Sequence, residues 1–328
     1  MRRLLAVGAS ALLLAVACAR EGRSPENAPA APAAVEPAVV PEGAEAISLL
    51  GDTLTAPRLP DSVLAERMER YYEAEDALSA DPQGADALIW MGRRTGYLGR
   101  CGDAIDIYTH ALGLHPDDAR LYRHRGHRYL TIRKLDEAVA DLRRAAELTE
   151  GKPDEVEPDG LPNAAGVPTS TLQFNVWYHL GLALYLQGDW AAAADAYARC
   201  AQVSAHPDSK VATAYWQVMT LKRLGRRDEA AAVLAGVTPG MEVIESGGYL
   251  QLLLLHKGER TPEDIVPPAL ASVSLESTTA GYGVGAWYLL EGDTARAVDV
   301  FRRVRAGRDQ WAAFGYLAAE AELARLGT

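Results

Sequence analysis

The sequence predicts an all-α solenoid of helix–turn–helix repeats, and three observations predict it. Gly92 and Gly126 lie 34 residues apart, as do Ala104 and Ala138, Tyr108 and Leu142, and Ala111 and Ala145. A fixed period of that length, with small residues at fixed phases, marks one helix pair per repeat. Gly99, Gly188, Gly225, Gly258 and Gly292 each close an apolar helical stretch, where a left-handed residue is wanted. Pro82 precedes Pro116 by the same 34 residues, so the helix ahead of the array is already in phase. Arrays of this kind present a surface to a partner.

Length and charge narrow the function classes. The chain has 328 residues and a formal net charge of −11. Nucleic-acid binders are usually basic, so that class is set aside. Three cysteines are too few for a disulfide framework. Cys101 falls in a turn and Cys200 at a small, buried helix position. Their separation along the stack predicts two free thiols.

The elements follow in order. Residues 1–18 read as a targeting segment: Arg2 and Arg3 precede an apolar run from Leu4 to Val16 that is too short to span a bilayer. Ala15-Val16-Ala17-Cys18 resembles the lipobox of bacterial lipoproteins, with Ala15 where leucine is usual. The resemblance implies lipidation of Cys18. The alternative is an ordinary secretory signal cut near Ala17 or Ala19. Residues 19–46 are rich in Ala and Pro and cannot bury a core, so a disordered tether is expected. Residues 47–84 hold an extended apolar stretch, Ile47 to Leu54, then a capping helix from Val63 to about Ser79 with Asp61 or Ser62 as its cap.

Repeats one and two occupy 85–149. The first supplies Leu88, Met91, Gly92, Ala104, Tyr108, Ala111 and Pro116, and the second Tyr122, Gly126, Tyr129, Ala138, Leu142 and Ala145. Repeats three to six occupy 174–308. The third carries Trp177, Leu180, Gly181, Ala193 and Tyr197, with Cys200 in place of Ala; the fourth is weaker, with Ala214, Leu221, Gly225, Ala230 and Leu234. The fifth keeps Leu250, Leu254 and Gly258, and Pro267 and Pro268 are expected to cut its second helix short. The sixth restores the pattern with Gly285, Tyr288, Gly292, Ala297 and Phe301, and 309–328 is read as a C-terminal capping helix. These phases resemble the tetratricopeptide repeat (TPR) family over roughly residues 60–326, which implies a right-handed superhelix. The helix-crossing glycines are expected to admit the second helix closely. Tyr108, Tyr197 and Phe301 are expected to fill the gap toward the next repeat.

No motif commits to catalysis: there is no phosphate loop, metalloprotease helix pair or nucleophile elbow. His124 and His127 share a helix face at metal-binding spacing. Without further ligands nearby, and flanked by Arg123, Arg125 and Arg128, they are not read as a metal site. No cofactor is implied.

Charge is more informative. From Arg93 to Arg144, eleven Lys or Arg stand against seven Asp or Glu, about +4 in an acidic chain. The family resemblance implies that first helices line a concave groove. Its phases fall on Arg93 and Tyr97, on Arg120, Arg123 and His127, and on Asn175, Tyr178 and Tyr185. Arginine forks, an imidazole, an amide and tyrosines suit an extended acidic peptide or a C-terminal carboxylate. The alternative is a solvated charged face. Some relatives clamp a carboxylate with lysines, and Ile89 and Asn175 stand at two of those positions here.

Residues 150–173 interrupt the array with four prolines and a run of acids, Asp154, Glu155, Glu157 and Asp159. Segments of this length are often functional. This one can fold back over Arg120, Arg123 and His127 and compete with an acidic partner; otherwise it is a tolerated insertion. The sequence thus predicts a non-catalytic protein–protein interaction scaffold or adaptor, anchored through Cys18. Ala19 after that cysteine suggests the outer membrane, periplasmic face. The other reading is a solute- or glycan-binding accessory subunit, with Trp90, Tyr97, Tyr178 and Tyr185 as stacking groups.

Overall fold

The computed structural model describes residues 40–266 and 274–328. The signal segment 1–18 with Cys18, the tether up to residue 39, and Pro267 and Pro268 lie outside the described residues.

A short hairpin comes first, with β1 (Ala46–Ile47) antiparallel to β2 (Thr53–Leu54). The helix α1 (Asp61–Ala80) follows. Its N-cap is Pro60 without a side-chain bond, so Asp61 and Ser62 sit in its first turn rather than capping it. Six helix pairs then succeed one another. They are α2 (Ala85–Tyr97) with α3 (Cys101–Leu114), α4 (Ala119–Thr131) with α5 (Leu135–Thr149), and α6 (Leu172–Gln187) with α7 (Trp190–Val203). Next come α8 (Pro207–Arg223) with α9 (Arg227–Ala235), α10 (Gly247–His256) with the single-turn α11 (Pro262–Ile265), and α12 (Leu275–Leu290) with α13 (Thr294–Ala306). The last helix is α14 (Phe314–Leu326). Several helices start on side-chain caps: Asp118 accepts from Arg120 N, Thr171 from Phe174 N, and Asp293 from Arg296 N.

The small residues do what their phase requires. A Cβ on Gly92 would lie 2.4 Å from the Tyr108 ring, one on Gly181 2.7 Å from Tyr197, and one on Gly285 2.6 Å from Phe301. Each large ring therefore lies against the glycine of its own repeat, and Tyr108 also stacks on His124 of the next one, with ring centres 5.9 Å apart. Ala104, Ala138, Ala193 and Ala297 face them with no exposed surface. Such crossings bring helix backbones close, and density there leaves no room for a methyl group.

The first helices end in left-handed residues, with φ of 85° at Gly99 and 85° at Gly188. In the second repeat the corresponding position, 34 residues after Gly99, is Arg133. It is the one non-glycine with positive φ among the described residues, at 67°. That conformation costs an L-residue about 1–3 kcal/mol. Its side chain accounts for it. The Arg133 guanidinium is buried, pairs with Glu320 at 2.9 Å, donates to the Trp311 carbonyl at 2.9 Å, and lies 5.2 Å from the Trp311 ring centre.

Glu320 belongs to α14, which is not merely a cap on the last repeat. It packs on α12 and α13 and also reaches the ends of earlier first helices. Glu322 pairs with Arg223, and Arg325 donates to the Leu186 carbonyl at 2.9 Å. Nine consecutive residues, Gly315 to Leu323, are buried, so the helix has no solvent face over that length. The N-terminal hairpin meets the same region: Leu49 N donates to Glu320 at 2.6 Å, and Trp311 Nε1 donates to the Thr55 carbonyl at 2.7 Å. Ala46, Leu54, Cys101, Trp311, Ala313 and Tyr316 form one apolar cluster there. The two ends of the described array are thereby joined.

Candidate functional site

The first helices present their inner faces side by side, α2 then α4 then α6. What lies on those faces differs along the array. Over the first two repeats it is the segment between α5 and α6, residues 150–171, which forms a strap. Its two limbs meet at a single antiparallel bridge, Val156 to Thr171, and Leu172 N donates to the Glu155 carbonyl at 2.8 Å. Asn163 ties the tip, donating to the Val167 carbonyl at 2.7 Å.

The strap is held by charge and by backbone carbonyls. Glu157 pairs with Arg123 at 2.9 Å, both side chains about nine-tenths buried. Arg93 donates to the Pro158 carbonyl at 2.8 Å, and Arg94 to the Gly160 carbonyl at 2.7 Å. Asn175 donates to the Ser170 hydroxyl at 3.0 Å, and Thr169 donates to Glu245 at 2.6 Å. Glu245 is itself set by Asp208, whose buried carboxylate accepts from the backbone N–H groups of Ile244, Glu245 and Ser246. Burial opposes that charge, yet the three N–H bonds prevail and hold Asp208 below the usual carboxylate range.

Four of the eight residues predicted to line the groove, Arg93, Tyr97, Arg123 and Asn175, therefore touch the strap. The other four do not. Arg120 is turned to Asp118 and Asp86, both at 2.6 Å. His127 packs on His179 and Phe314, with ring centres 4.4 and 5.5 Å away. Tyr178 accepts from Trp216 Nε1 at 2.9 Å and meets the Tyr249 hydroxyl at 3.2 Å. Tyr185 is wholly buried and takes a hydrogen bond from Tyr282 at 2.9 Å. The contacts of His127, Tyr178 and Tyr185 are core contacts, where α14 and α12 cover the inner face, whereas the Arg120 pairs lie at the surface. Trp90 carries Arg93 and Arg94 against its ring at 4.3 and 4.7 Å.

The field beneath the strap is positive. Burial, with Arg123 and Arg93 adding to it, pushes the His124 imidazole well below its ordinary range. Burial together with Arg128 does the same to His127, and burial with Arg123 brings His179 down to about 3. All three rings are neutral at pH 7, so the positive charge resides on arginines. Glu157 is the carboxylate paired with Arg123 there. Asp159 lies beside it and its carboxyl is pushed up by burial and then by Glu245. Burial also raises both remaining thiols, Cys200 to about 12, which makes them inert as nucleophiles.

Open space also lies further along. A pocket of about 770 Å³ is lined by His127, Tyr178, Glu245, Tyr249, Thr279 and Phe314, among others. Sequence reasoning missed Arg94, Phe314 and Arg133. Arg133 carried a signal, since it occupies a glycine phase; the other two carried none.

Residues 175–209 match the family model described as "Tetratricopeptide repeat". No curated protein matches the chain. Among solved structures the chain is similar to a tetratricopeptide repeat protein from Parabacteroides merdae ATCC 43184, at 14% identity over 78% of this chain and 99% of that one, with a TM-score of 0.45. It is also similar to YrrB, described as "a TPR protein with an unusual peptide-binding site", at 16% identity over 71% and 91%, TM-score 0.40. MamA is similar at 19% identity over 58% and 90%, TM-score 0.40.

Proposed function

We propose that this chain, whose residues 175–209 match the tetratricopeptide-repeat model, is a non-catalytic interaction scaffold that binds an extended acidic segment of a partner protein. One observation carries this reading: the inner face of the first two repeats already holds such a segment, its own. Arg123 takes a carboxylate while Arg93 and Arg94 take carbonyls of an extended backbone. Charge-assisted donors of this kind recognise a peptide main chain and an acidic side chain together. The sequence of residues 1–18 supports attachment to the envelope through lipidated Cys18, with the scaffold facing the periplasm from the outer membrane. The anchor has a separate check, since Cys18→Ser should abolish incorporation of labelled fatty acid.

Site-specific photo-cross-linking in cells tests the scaffold reading. A photoreactive residue replaces Tyr97, beneath the strap, or Tyr72, which is exposed on α1. The expected result is a partner captured from position 97 and not from 72, with the linked partner peptide rich in Asp or Glu. Equal capture from both positions, or a linked peptide without acids, overturns it.

A second reading, a solute- or glycan-binding subunit, draws on the 770 Å³ pocket and its aromatic wall of His127, Tyr178, Tyr249 and Phe314. The size suits a small ligand. A saturable thermal shift with oligosaccharides, lost in Tyr249→Ala, favours that reading; the absence of any shift removes it.

A further inference from the structure

We infer that the strap is a built-in stand-in for the partner, whose binding segment presents a carboxylate side chain and, three residues later, a glycine. The inference rests on the scaffold reading and deepens it by naming what the face recognises.

The carboxylate comes from the Glu157 position. It enters a buried cationic recess, where one oxygen reaches Arg123 and the other, also buried, has no partner. Arg93 Nε and Arg123 Nε are likewise buried without partners. A buried polar atom left unpaired costs about 1–3 kcal/mol. The recess therefore retains donor capacity that the tethered strap does not use. A free ligand, unconstrained by the limbs of a loop, can seat its carboxylate on the Arg123 fork with both oxygens.

The glycine comes from space rather than from backbone conformation. Gly160 is not among the residues with positive φ. A Cβ there would lie 1.9 Å from Tyr97 Oη and 2.7 Å from Arg93 Nη2. The hydroxyl end of Tyr97 and the guanidinium that grips Pro158 would both have to shift. Between these two positions the face reads only carbonyls, those of Pro158 and Gly160, so the intervening residues are free to vary.

The strap is also built to leave. Its apolar side chains point outward: Val156 is 63% exposed, Leu161 48% and Val167 42%. No hydrophobic burial by these three holds it down. Glu157, Asp159 and Glu245 meet at one end as like charges. A tethered segment competes at an effective concentration of about millimolar. A partner displaces it only by binding the open face much more tightly than the strap sequence itself does.

The test uses the full chain with Gly160→Val, and separately with Glu157→Lys, each drawn to expel the strap by a different force. Hydrogen exchange over residues 155–170 reports whether it has left, and far-ultraviolet dichroism whether the helices remain. The probe is a fluorescein-labelled peptide copying Asp154–Leu161, followed by fluorescence polarisation. Both open chains are expected to bind it at least tenfold more tightly than the unaltered chain. Peptides with valine at the Gly160 position or glutamine at the Glu157 position are expected to lose at least tenfold on the Glu157→Lys chain. Unchanged exchange in the Gly160→Val chain overturns the steric argument. If a scrambled peptide of identical composition binds the open chains equally well, the motif falls while the acidic-segment scaffold stands. If no acidic peptide binds a chain whose strap is open, both fall.

Discussion

The inner face is covered twice, by two kinds of chain, and the comparison separates structure from function. Over repeats one and two the cover is the strap, a proline-rich loop held by one buried ion pair and a handful of carbonyl bonds. Over the later repeats it is α14, a helix buried along nine residues and fixed by Arg133–Glu320 and Arg223–Glu322. Both covers use arginine and glutamate. The difference lies in what surrounds the charges. The Glu320 and Glu322 carboxylates sit among Tyr316, Leu317, Ala319 and Leu323, none of which can leave without exposing apolar surface. Glu157 sits among polar groups on a segment whose apolar residues already face water. The same pair of residue types is therefore a lock in one place and a latch in the other.

The largest effect expected from this contrast is at Glu320. Removing one partner of a buried pair strands the other, at a cost of about 3–5 kcal/mol. Glu320→Ala strands Arg133, which also loses the contact that justifies its left-handed backbone. Chemical denaturation should show the loss across the whole cooperative transition. A change below about 1 kcal/mol, the scale of an exposed pair, would mean that α14 is no lock at all. The equivalent cut at Glu157 has a bounded cost, since the strap can lift and let water reach Arg123. Its effect is expected in local exchange, not in global stability.

A smaller effect is expected within the repeats themselves. Gly92→Val places its Cβ 2.4 Å from the Tyr108 ring in the repeat that the strap covers, and Gly181→Val places its Cβ 2.7 Å from the Tyr197 ring in the third repeat. Overpacking of this sort costs about 1–3 kcal/mol. The Gly181 variant should be the costlier, because Tyr197 lies in the large core cluster that also holds α14, whereas Tyr108 lies in a small one. Equal shifts in thermal midpoint would show that the cover above a repeat does not stiffen it.

How much of this was legible follows the same division. The hairpins were readable because their constraints are local: a glycine, a ring 16 residues further on in the second helix, and a left-handed residue at the helix end. The strap was half readable. Its acids and the arginines opposite predicted attraction, yet charge gives a sign and not a register. Arg123 and Arg94 receive the strap, while Arg120, equally basic, is taken by Asp86 and Asp118. The position of α14 was not readable. Its two glutamates suggest a solvent face, and the partners that bury them, Arg133 and Arg223, lie 187 and 99 residues away. Tyr178 and Tyr185 were placed on the groove for this reason and are core residues instead.

The finest distinction between latch and lock is expected in pH. Asp159 has its carboxyl raised in the closed strap, by burial first, then by Glu245, with Glu157 adding and Arg93 opposing. In the open strap it returns toward the ordinary carboxylate value near 3.9. A group whose value is raised in one state favours that state when protonated. Closure should therefore strengthen as pH falls from the raised value toward about 4, weaken as pH rises through that window, and level off above it. In the α14 cover the arginines Arg133 and Arg223 stay charged throughout. Exchange at residues 155–170, corrected for intrinsic rates, should thus slow on mild acidification while residues 315–323 stay unchanged. Asp159→Asn should hold the strap closed at neutral pH and flatten the profile. Loosening on mild acidification would instead make the Glu157–Arg123 pair the controlling charge, and the latch would then open toward acid rather than toward base.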